Sequence, residues 1–587
     1  MRVTQQVEEL PDPYTGDPLL GRSLDRQLGE VGHKQARPAL EDLSADCRGR
    51  LRRAALDAER HPPALRAYDG WGARVDEIET ADGWDVLRRA AAEHGVVALP
   101  YEPAARAKWG AGARVVQHAL LHLYAPDSAV FSCPVAMSDG AATVLSERGV
   151  DPDLAGRILP RLLSRDPAVA WTSGQWMTET EGGSDVGRAT TRALPDTGGW
   201  RLHGDKWFCS ATTAEMAVAL ARPDGAAAGS AGLACFVVPR YAEDADPTRK
   251  HPRGRTGLRA GAEGLHIHRL KDKLGTRALP SAEVQLDGAR AWPVADPTQP
   301  GGLRRMMALV TVTRLHNAAN AAALLRRGVT MARTYAQTRE VFGAPLWQQP
   351  LHREVLAGLT VEADAAFAIT ALCFEALGRV ETGAGTEGAR DSADLLRLAN
   401  SLAKALTAKQ SVAGLSEVIE CFGGPGYVED TGVPVLLRDA QVLPVWEGTT
   451  TIQALDVLRA LSDPRVDVLG AYLRRVDAAI DAASAMGALA AAADGLAGSR
   501  PGLVEAVAAA ARAPEAPGTQ AAARGLAERL ATTLAGAALL EQAVFDDARG
   551  DTRGAAIASL WIRRRVLGDP CSGAAADVFD LVVDGRS

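Results

Sequence analysis

Four short segments of the 587-residue chain carry residue types that do chemistry. In residues 442–459, VLPVWEGTTTIQALDVLR, Glu447 follows Trp446 and precedes Gly448, just before a helix expected from about Thr450. A carboxylate beside an indole loses hydration, which raises its pKa and suits a general base. The same residues also suit a helix N-terminus with Thr449 or Thr450 as its cap. In residues 174–185, GQWMTETEGGSD, an apolar run enters a Gly-rich turn. Gly182 and Gly183 would let a ligand approach the backbone, while Thr178 and Ser184 offer groups that grip a polar ring edge or a phosphate. A polar β-turn explains the same residues without a ligand. In residues 204–211, GDKWFCSA, Trp207 and Phe208 lie beside Ser210. That set could support a flat cofactor and hydrogen-bond its edge, or simply pack in a core. In residues 338–351, TREVFGAPLWQQPL, Arg339 and Phe342 leave a long helix. The arginine fork suits a diphosphate, or it offsets a helix dipole.

Other chemistries lack their residues. The chain has no HExxH, no Walker P-loop, no GxGxxG opening a βαβ unit and no GxSxG elbow. His266 and His268 share a strand face that reads as polar rather than metal-binding, so no metal site is expected. Seven cysteines run from Cys47 to Cys571 with no CxxC pair, which fits a reducing cytoplasm rather than a disulfide framework. Lys+Arg number 65 against 72 Asp+Glu, and a net charge of −7 gives no overall pull toward nucleic acid or an anionic membrane. The polar, acidic N-terminus has no signal-peptide core. Apolar stretches such as residues 488–493 fall short of the ~20 residues of a membrane span. The expectation is a soluble cytoplasmic protein.

The elements that must position these residues follow from periodicity. Leu40, Leu43, Cys47 and Leu51 form one helical stripe, and the first ~165 residues read as helical, punctuated by loops such as residues 61–72 with their Pro pair. From about Val169 the period changes. Short apolar or alternating runs separated by Gly, Asp and Pro predict a small antiparallel β domain ending near Pro293. Helical periodicity returns at Gly302 and lasts to about Leu461, with Gly423-Gly424 stopping a long helix. The Ala-rich remainder predicts a short appended bundle. The expected boundaries are 1–166 (N-terminal helical), 167–296 (middle β-barrel), 297–462 (C-terminal four-helix bundle) and 463–587 (helical extension), an α+β arrangement.

The four segments, in this order on a helix–sheet–helix framework, resemble the acyl-CoA dehydrogenase superfamily, and most of all its AidB-type branch. Also carrying the resemblance are HPPALRAYD from His61, SCPVAM from Ser132, RLKDKLGTR from Arg269 and CFGGPGY from Cys421. It covers residues 35–461 well and the tail more loosely. It implies an FAD flavoenzyme, usually a homotetramer or homodimer, acting on an acyl-CoA or related thioester with an electron acceptor such as an electron-transfer flavoprotein. By similarity Met177 and Thr178 would face the flavin pyrimidine, and Ser184 would lie where flavin and CoA ester meet. Ser210 stands where the family has a hydroxyl bonding flavin N5, and Phe208 where it has a Trp against the ring. Arg339 and Phe342 match the segment that reaches a neighbouring subunit's FAD, Gly423 and Gly424 the Gly pair near the adenosine end, and Thr449 a hydroxyl beside the diphosphate. Glu447 matches the usual catalytic base. Some members carry the base on an earlier helix just before an arginine; here that position is Thr313, before Arg314, which leaves Glu447 as base with Arg314 in the catalytic set. Trp446 replaces the more usual Tyr and could narrow the acyl pocket.

The implied chemistry is removal of a weakly acidic thioester α-proton by a desolvated base, with β-hydride transfer to flavin N5. Two other readings stay open. One is a DNA-associated flavoprotein, since the AidB branch is linked to the response to DNA alkylation. Residues 463–587 hold 13 Arg and no Lys against 16 Asp+Glu, a poor phosphate footprint whose one cluster is Arg563-Arg564-Arg565. The other is an oxidase or monooxygenase of specialised metabolism on the same fold.

Overall fold

A computed structural model describes residues 10–243, 258–259, 263–383, 385–569 and 573–584. The chain folds as two units. One comprises Met1–Ala45, Pro103–Pro126 and Asn317–Ser587; the other comprises Asp46–Glu102 and Asp127–His316.

The second unit is built on a seven-stranded sheet. A preceding hairpin of β1 (Ala64–Tyr68) and β2 (Arg74–Glu79) falls inside the stretch read as helical and partly inside the segment read as a loop. The five-residue β1 is too short for its alternating half-buried pattern to stand out from the turn residues around it. The sheet itself comprises β3 (Ser173–Trp176), β4 (Arg192–Asp196), β5 (Gly199–Ser210), β6 (Met216–Pro223) and β7 (Ala234–Pro239). After a short pair, β8 (Ala242–Glu243) and β9 (Leu258–Arg259), it is completed by β10 (Leu265–Leu270) and β11 (Ser281–Pro293). The order is β10-β11-β5-β4-β6-β3, with β7 joining β11 and β6. Pairing is mainly antiparallel, but β3 and β4 each run parallel to β6.

Strand β6 is covered on both faces, and its unbroken apolar run follows from that. Ala217, Ala219 and Ala221 join Trp176, Leu202, Phe236, Ile267 and Val284 in one core. Met216, Val218 and Leu220 join Leu145, Leu154 and Ile158, from helices Ser132–Leu145 and Pro152–Leu162, in another.

The first unit is helical. Its bundle is made by helix Gly302–Thr338 from Asn317 onward, Pro350–Thr382, Glu387–Phe422 and Thr450–Ser462. Against it pack Val468–Ser484, Ala490–Arg512, Pro517–Asp547 and Arg553–Trp561 of the C-terminal extension. Helix Pro350–Thr382 is long and apolar enough by composition to cross a membrane, which the sequence reading did not anticipate; 83% of its most apolar window is buried inside the protein. Six described cysteines are free and buried, and burial pushes the Cys235, Cys373 and Cys421 thiols up to about 12. Cys571 lies outside the described residues.

Candidate active site

In the sheet unit, β3 leads directly into the Gly-rich turn, as its apolar start predicts. Met177 and Thr178 are half-buried at the strand end, and the Thr178 carbonyl accepts a 2.9 Å hydrogen bond from the Trp207 amide of β5. Beyond it Glu179 and Gly182 exchange backbone hydrogen bonds, and Thr180-Glu181 form the tip. A Cβ at Gly182 would stand 2.5 Å from the Asp185 carbonyl oxygen, so only glycine closes this turn. Ser184 is exposed on its far side.

Beneath the turn lies an ion pair that the sequence reading missed. Lys206 Nζ donates to Glu179 Oε1 at 2.6 Å and to the Leu220 carbonyl at 2.8 Å, with both side chains essentially inaccessible. Glu179 also accepts from the Thr190 amide and hydroxyl at 2.6 and 2.8 Å, and from the Thr191 hydroxyl at 2.5 Å. Burial alone would raise this carboxyl. The Lys206 charge and the threonine donors outweigh it and hold the pKa down at about 2.

Strand β5 carries Phe208 and Ser210. An irregularity in the β5–β11 register between the pairs Cys209–Ala282 and Lys206–Val284 places an extra residue on β5. It turns Lys206 and Cys209 both inward, while Phe208 stays 50% exposed. Ser210 faces Ser281 across the strands, their hydroxyl oxygens 3.0 Å apart. Behind the aromatics, Lys271 Nζ sits 3.5 Å from the Trp207 ring centroid and 4.4 Å from that of Phe208, and donates to Glu283 at 2.8 Å. Arg314 is buried on helix Gly302–Thr338 at 7% exposure. The neighbouring Thr313 hydroxyl donates back to the Val310 carbonyl at 3.2 Å, so that position holds a helix-bonded hydroxyl and no base. His266 and His268 are partly exposed on β10, facing Asp76 and Asp205 at 3.8 and 3.6 Å.

In the helical unit, Glu447 occupies the last residue but one before the Thr449 cap of helix Thr450–Ser462. Its φ is +56°, a left-handed conformation unusual for a glutamate. Gln453 Nε2 donates to the Glu447 and Gly448 carbonyls at 2.8 and 3.1 Å, and Lys404 Nζ donates to the Gly448 carbonyl at 2.6 Å. These bonds hold the turn. The Trp446 indole is fixed as well: Nε1 donates to Asn317 Oδ1 at 3.2 Å, and Asn317 Nδ2 donates to the Leu443 carbonyl at 3.0 Å. The Thr449 hydroxyl caps the helix through the Ile452 amide. Beside Thr450 opens a cleft of about 490 Å³ with Leu359, Leu406 and Ala454 in its lining and Lys409 and Arg524 among its charged residues.

Arg339 ends helix Gly302–Thr338, and its carbonyl accepts from the Leu346 amide at 2.7 Å. Between them β12 (Glu340–Val341) and β13 (Ala344–Pro345) form a hairpin tipped by Phe342 and Gly343, at φ +51° and +83°. Positive φ at both positions is the two-residue turn that suits a tight hairpin. It leaves the Phe342 ring 99% exposed. Gly423, at φ +63°, stops helix Glu387–Phe422, where Phe422 stacks on Tyr335 with ring centroids 4.5 Å apart. Gly423 and Gly424 present open backbone, with no heavy atom within 4 Å of where a Cβ would stand.

Three family profiles match this chain. They are the adaptive response protein AidB N-terminal domain over residues 6–167, the acyl-CoA dehydrogenase middle domain over 174–289, and the acyl-CoA dehydrogenase C-terminal domain over 300–462. The putative acyl-CoA dehydrogenase AidB of Escherichia coli is 33% identical over 69% of this chain and 70% of its own length. The chain belongs to the acyl-CoA dehydrogenase superfamily, in its AidB-type branch. Acyl-CoA dehydrogenase family member 11 of Caenorhabditis elegans is 39% identical over 81% of this chain and 74% of its own. The crystal structure of Caenorhabditis elegans ACDH-11 in complex with C11-CoA superposes with a TM-score of 0.87 at 34% identity, covering 95% of this chain and 92% of that one. Within this AidB-type chain the arginine triplet of the extension is engaged by carboxylates. Arg563 pairs with Asp569 at 2.7 Å, Arg564 with Glu354, and Arg565 with Glu528 at 3.4 Å.

Proposed function

We propose that this AidB-type protein is an FAD-dependent acyl-CoA dehydrogenase in which Glu447 removes the α-proton of the thioester. The observation that carries the reading is the Glu447 turn. A glutamate at positive φ, its carbonyl held by Gln453 and that of the following Gly448 by Lys404, and flanked by an immobilised indole, is an arrangement that packing alone does not require.

The chain's own residues fit the cofactor. Met177 and Thr178 offer a strand end and turn for the polar edge of a ring, Phe208 an exposed aromatic face, and Ser210 an adjacent hydroxyl. Arg339, Phe342, Gly423, Gly424 and the Thr449 helix terminus suit its diphosphate and adenosine parts. Bound FAD would supply the two-electron acceptor for the β-hydride.

Everything else falls to the protein. Glu447 holds the abstracted proton on its carboxylate. Trp446 covers one side of the acyl chain and keeps water from the base. Ser184 stands toward the thioester. The substrate class is an acyl-CoA, supported by the C11-CoA bound to ACDH-11. The electron acceptor in this reading is an electron-transfer flavoprotein. The exposed Phe342 hairpin reaches a second subunit in a homodimer or homotetramer.

Exchange of the substrate α-hydrogen with solvent deuterium, read by mass spectrometry, tests the base. Wild-type protein exchanges it and Glu447→Gln does not. Undiminished exchange in the variant would overturn the assignment.

A further inference from the structure

Ser210 does not act alone. Its hydroxyl oxygen lies 3.0 Å from that of Ser281, its cross-strand partner on β11. Ser281 Oγ in turn accepts from Lys273 Nζ at 3.2 Å, and the same ammonium donates to the Leu279 carbonyl at 2.6 Å. The lysine comes from the loop joining β10 to β11. That loop is held by the Leu279 amide on the Thr276 carbonyl and by the Thr212 hydroxyl on the Cys209 and Pro280 carbonyls. Ser281 is buried at 3% exposure, while Ser210 is only half-buried.

The first member of this chain biases its direction, although either hydroxyl is able to donate across the Ser210–Ser281 contact. An ammonium has three donors and no acceptor, whereas a hydroxyl has one donor and two lone pairs. Ser281 must therefore accept from Lys273, and its single proton is free to go to Ser210 Oγ. Ser210 then accepts from Ser281 and keeps its own proton for whatever lies on the exposed side of β5. Hydrogen-bonded chains polarise one another, so a positive group at one end makes the terminal hydroxyl a stronger donor. We propose that Lys273 and Ser281 are positioning residues that set the polarity of the Ser210 hydroxyl and raise the reduction potential of the flavin it faces. The inference rests on the reading of Ser210 as the hydroxyl at the flavin ring. It requires no proton to leave Lys273 and no new bond to form; the relay only favours added electron density on the acceptor side.

The test is the midpoint potential of the purified flavoprotein, measured by dye equilibration without substrate, for wild type, Ser210→Ala, Ser281→Ala, Lys273→Met and Lys273→Arg. The relay predicts more negative potentials for Ser210→Ala, Ser281→Ala and Lys273→Met, with Lys273→Arg restoring most of the shift because a donor-only cation returns. A residue that merely braces the loop would change melting temperature without moving the potential. A shifted Ser210→Ala beside unshifted Ser281→Ala and Lys273→Met would overturn the relay and leave the flavin site intact. An unshifted Ser210→Ala would overturn both the relay and the placement of Ser210. Failure of the wild-type protein to bind FAD would overturn the flavoprotein reading itself.

Discussion

A non-glycine residue in the left-handed region costs about 1–3 kcal/mol, and such residues gather where function demands a particular side-chain direction. Glu447 at φ +56° and Phe342 at φ +51° are both positions that sequence motifs single out, and Ala211 at φ +53° immediately follows a third, Ser210. For Glu447 as the proposed base, general acid–base catalysis sets the scale: Glu447→Gln is expected to lower turnover by about 10²–10⁴-fold, checked by steady-state kinetics with an artificial electron acceptor. Glu179 has a different role. Its folded pKa of about 2 lies below the ~4.3 of an unfolded glutamate. The Glu179–Lys206 pair therefore contributes its full stability above that unfolded value, and loses it as pH falls from there toward 2. Glu179→Gln strands the buried ammonium and is expected to cost about 3–5 kcal/mol at neutral pH. Urea denaturation at pH 7 and pH 4 checks both the loss and its shrinkage in acid.

At the scale of elements, the strands and long helices were legible because their periods differ. Alternation marks β10 and β11, and Gly423-Gly424 marks a helix end. What alternation misjudges is β5. A strict two-residue period puts Lys206, Phe208 and Ser210 on one face, whereas the extra residue near Cys209 sends Lys206 inward and leaves Phe208 out. A lysine sharing parity with the buried Leu202 was the available signal, since a core-facing ammonium needs an anionic partner. The β1–β2 hairpin was missed because two short, half-exposed strands leave little pattern to read. The β12–β13 hairpin gives a prediction at this scale. Phe342→Gly removes backbone strain and an exposed ring together. The variant is expected to melt at the wild-type temperature or a few degrees above it, yet to retain less FAD and to sediment as a smaller species. Calorimetry and analytical ultracentrifugation on one preparation check both.

On the scale of the molecule, the C-terminal extension is part of the helical unit rather than an appendage. Arg553, in the extension, bonds Asp364 of the bundle at 2.6 Å with both side chains 1% exposed, and Asp364 also pairs with Arg326. Arg326 lies 3.3 Å from Asp17 near the chain start, and Arg475 of the extension bonds Glu541 at 2.6 Å and the bundle's Glu375 at 3.4 Å. Burial would raise the Asp364 carboxyl, but the two guanidiniums outweigh it and hold the group ionised. Asp364→Asn takes the bonded carboxylate from Arg553 and leaves Arg326 with Asp17 alone; it is expected to cost about 3–5 kcal/mol, read from the urea midpoint. No local window reveals this network, because its partners stand far apart in the chain, with a separation of 189 residues between Asp364 and Arg553 alone. The same carboxylate pairing leaves the Arg563–Arg565 cluster little excess charge for a phosphate backbone.

The most direct test of the proposed chemistry is an anaerobic titration of the purified flavoprotein with short, branched, aromatic and medium-chain acyl-CoAs, including C11-CoA, followed by the oxidised flavin band. Bleaching by at least one thioester, abolished in Glu447→Gln while the variant still binds that thioester, is the predicted result. A flavin band that no acyl-CoA bleaches, or bleaching that survives unchanged in Glu447→Gln, would contradict it.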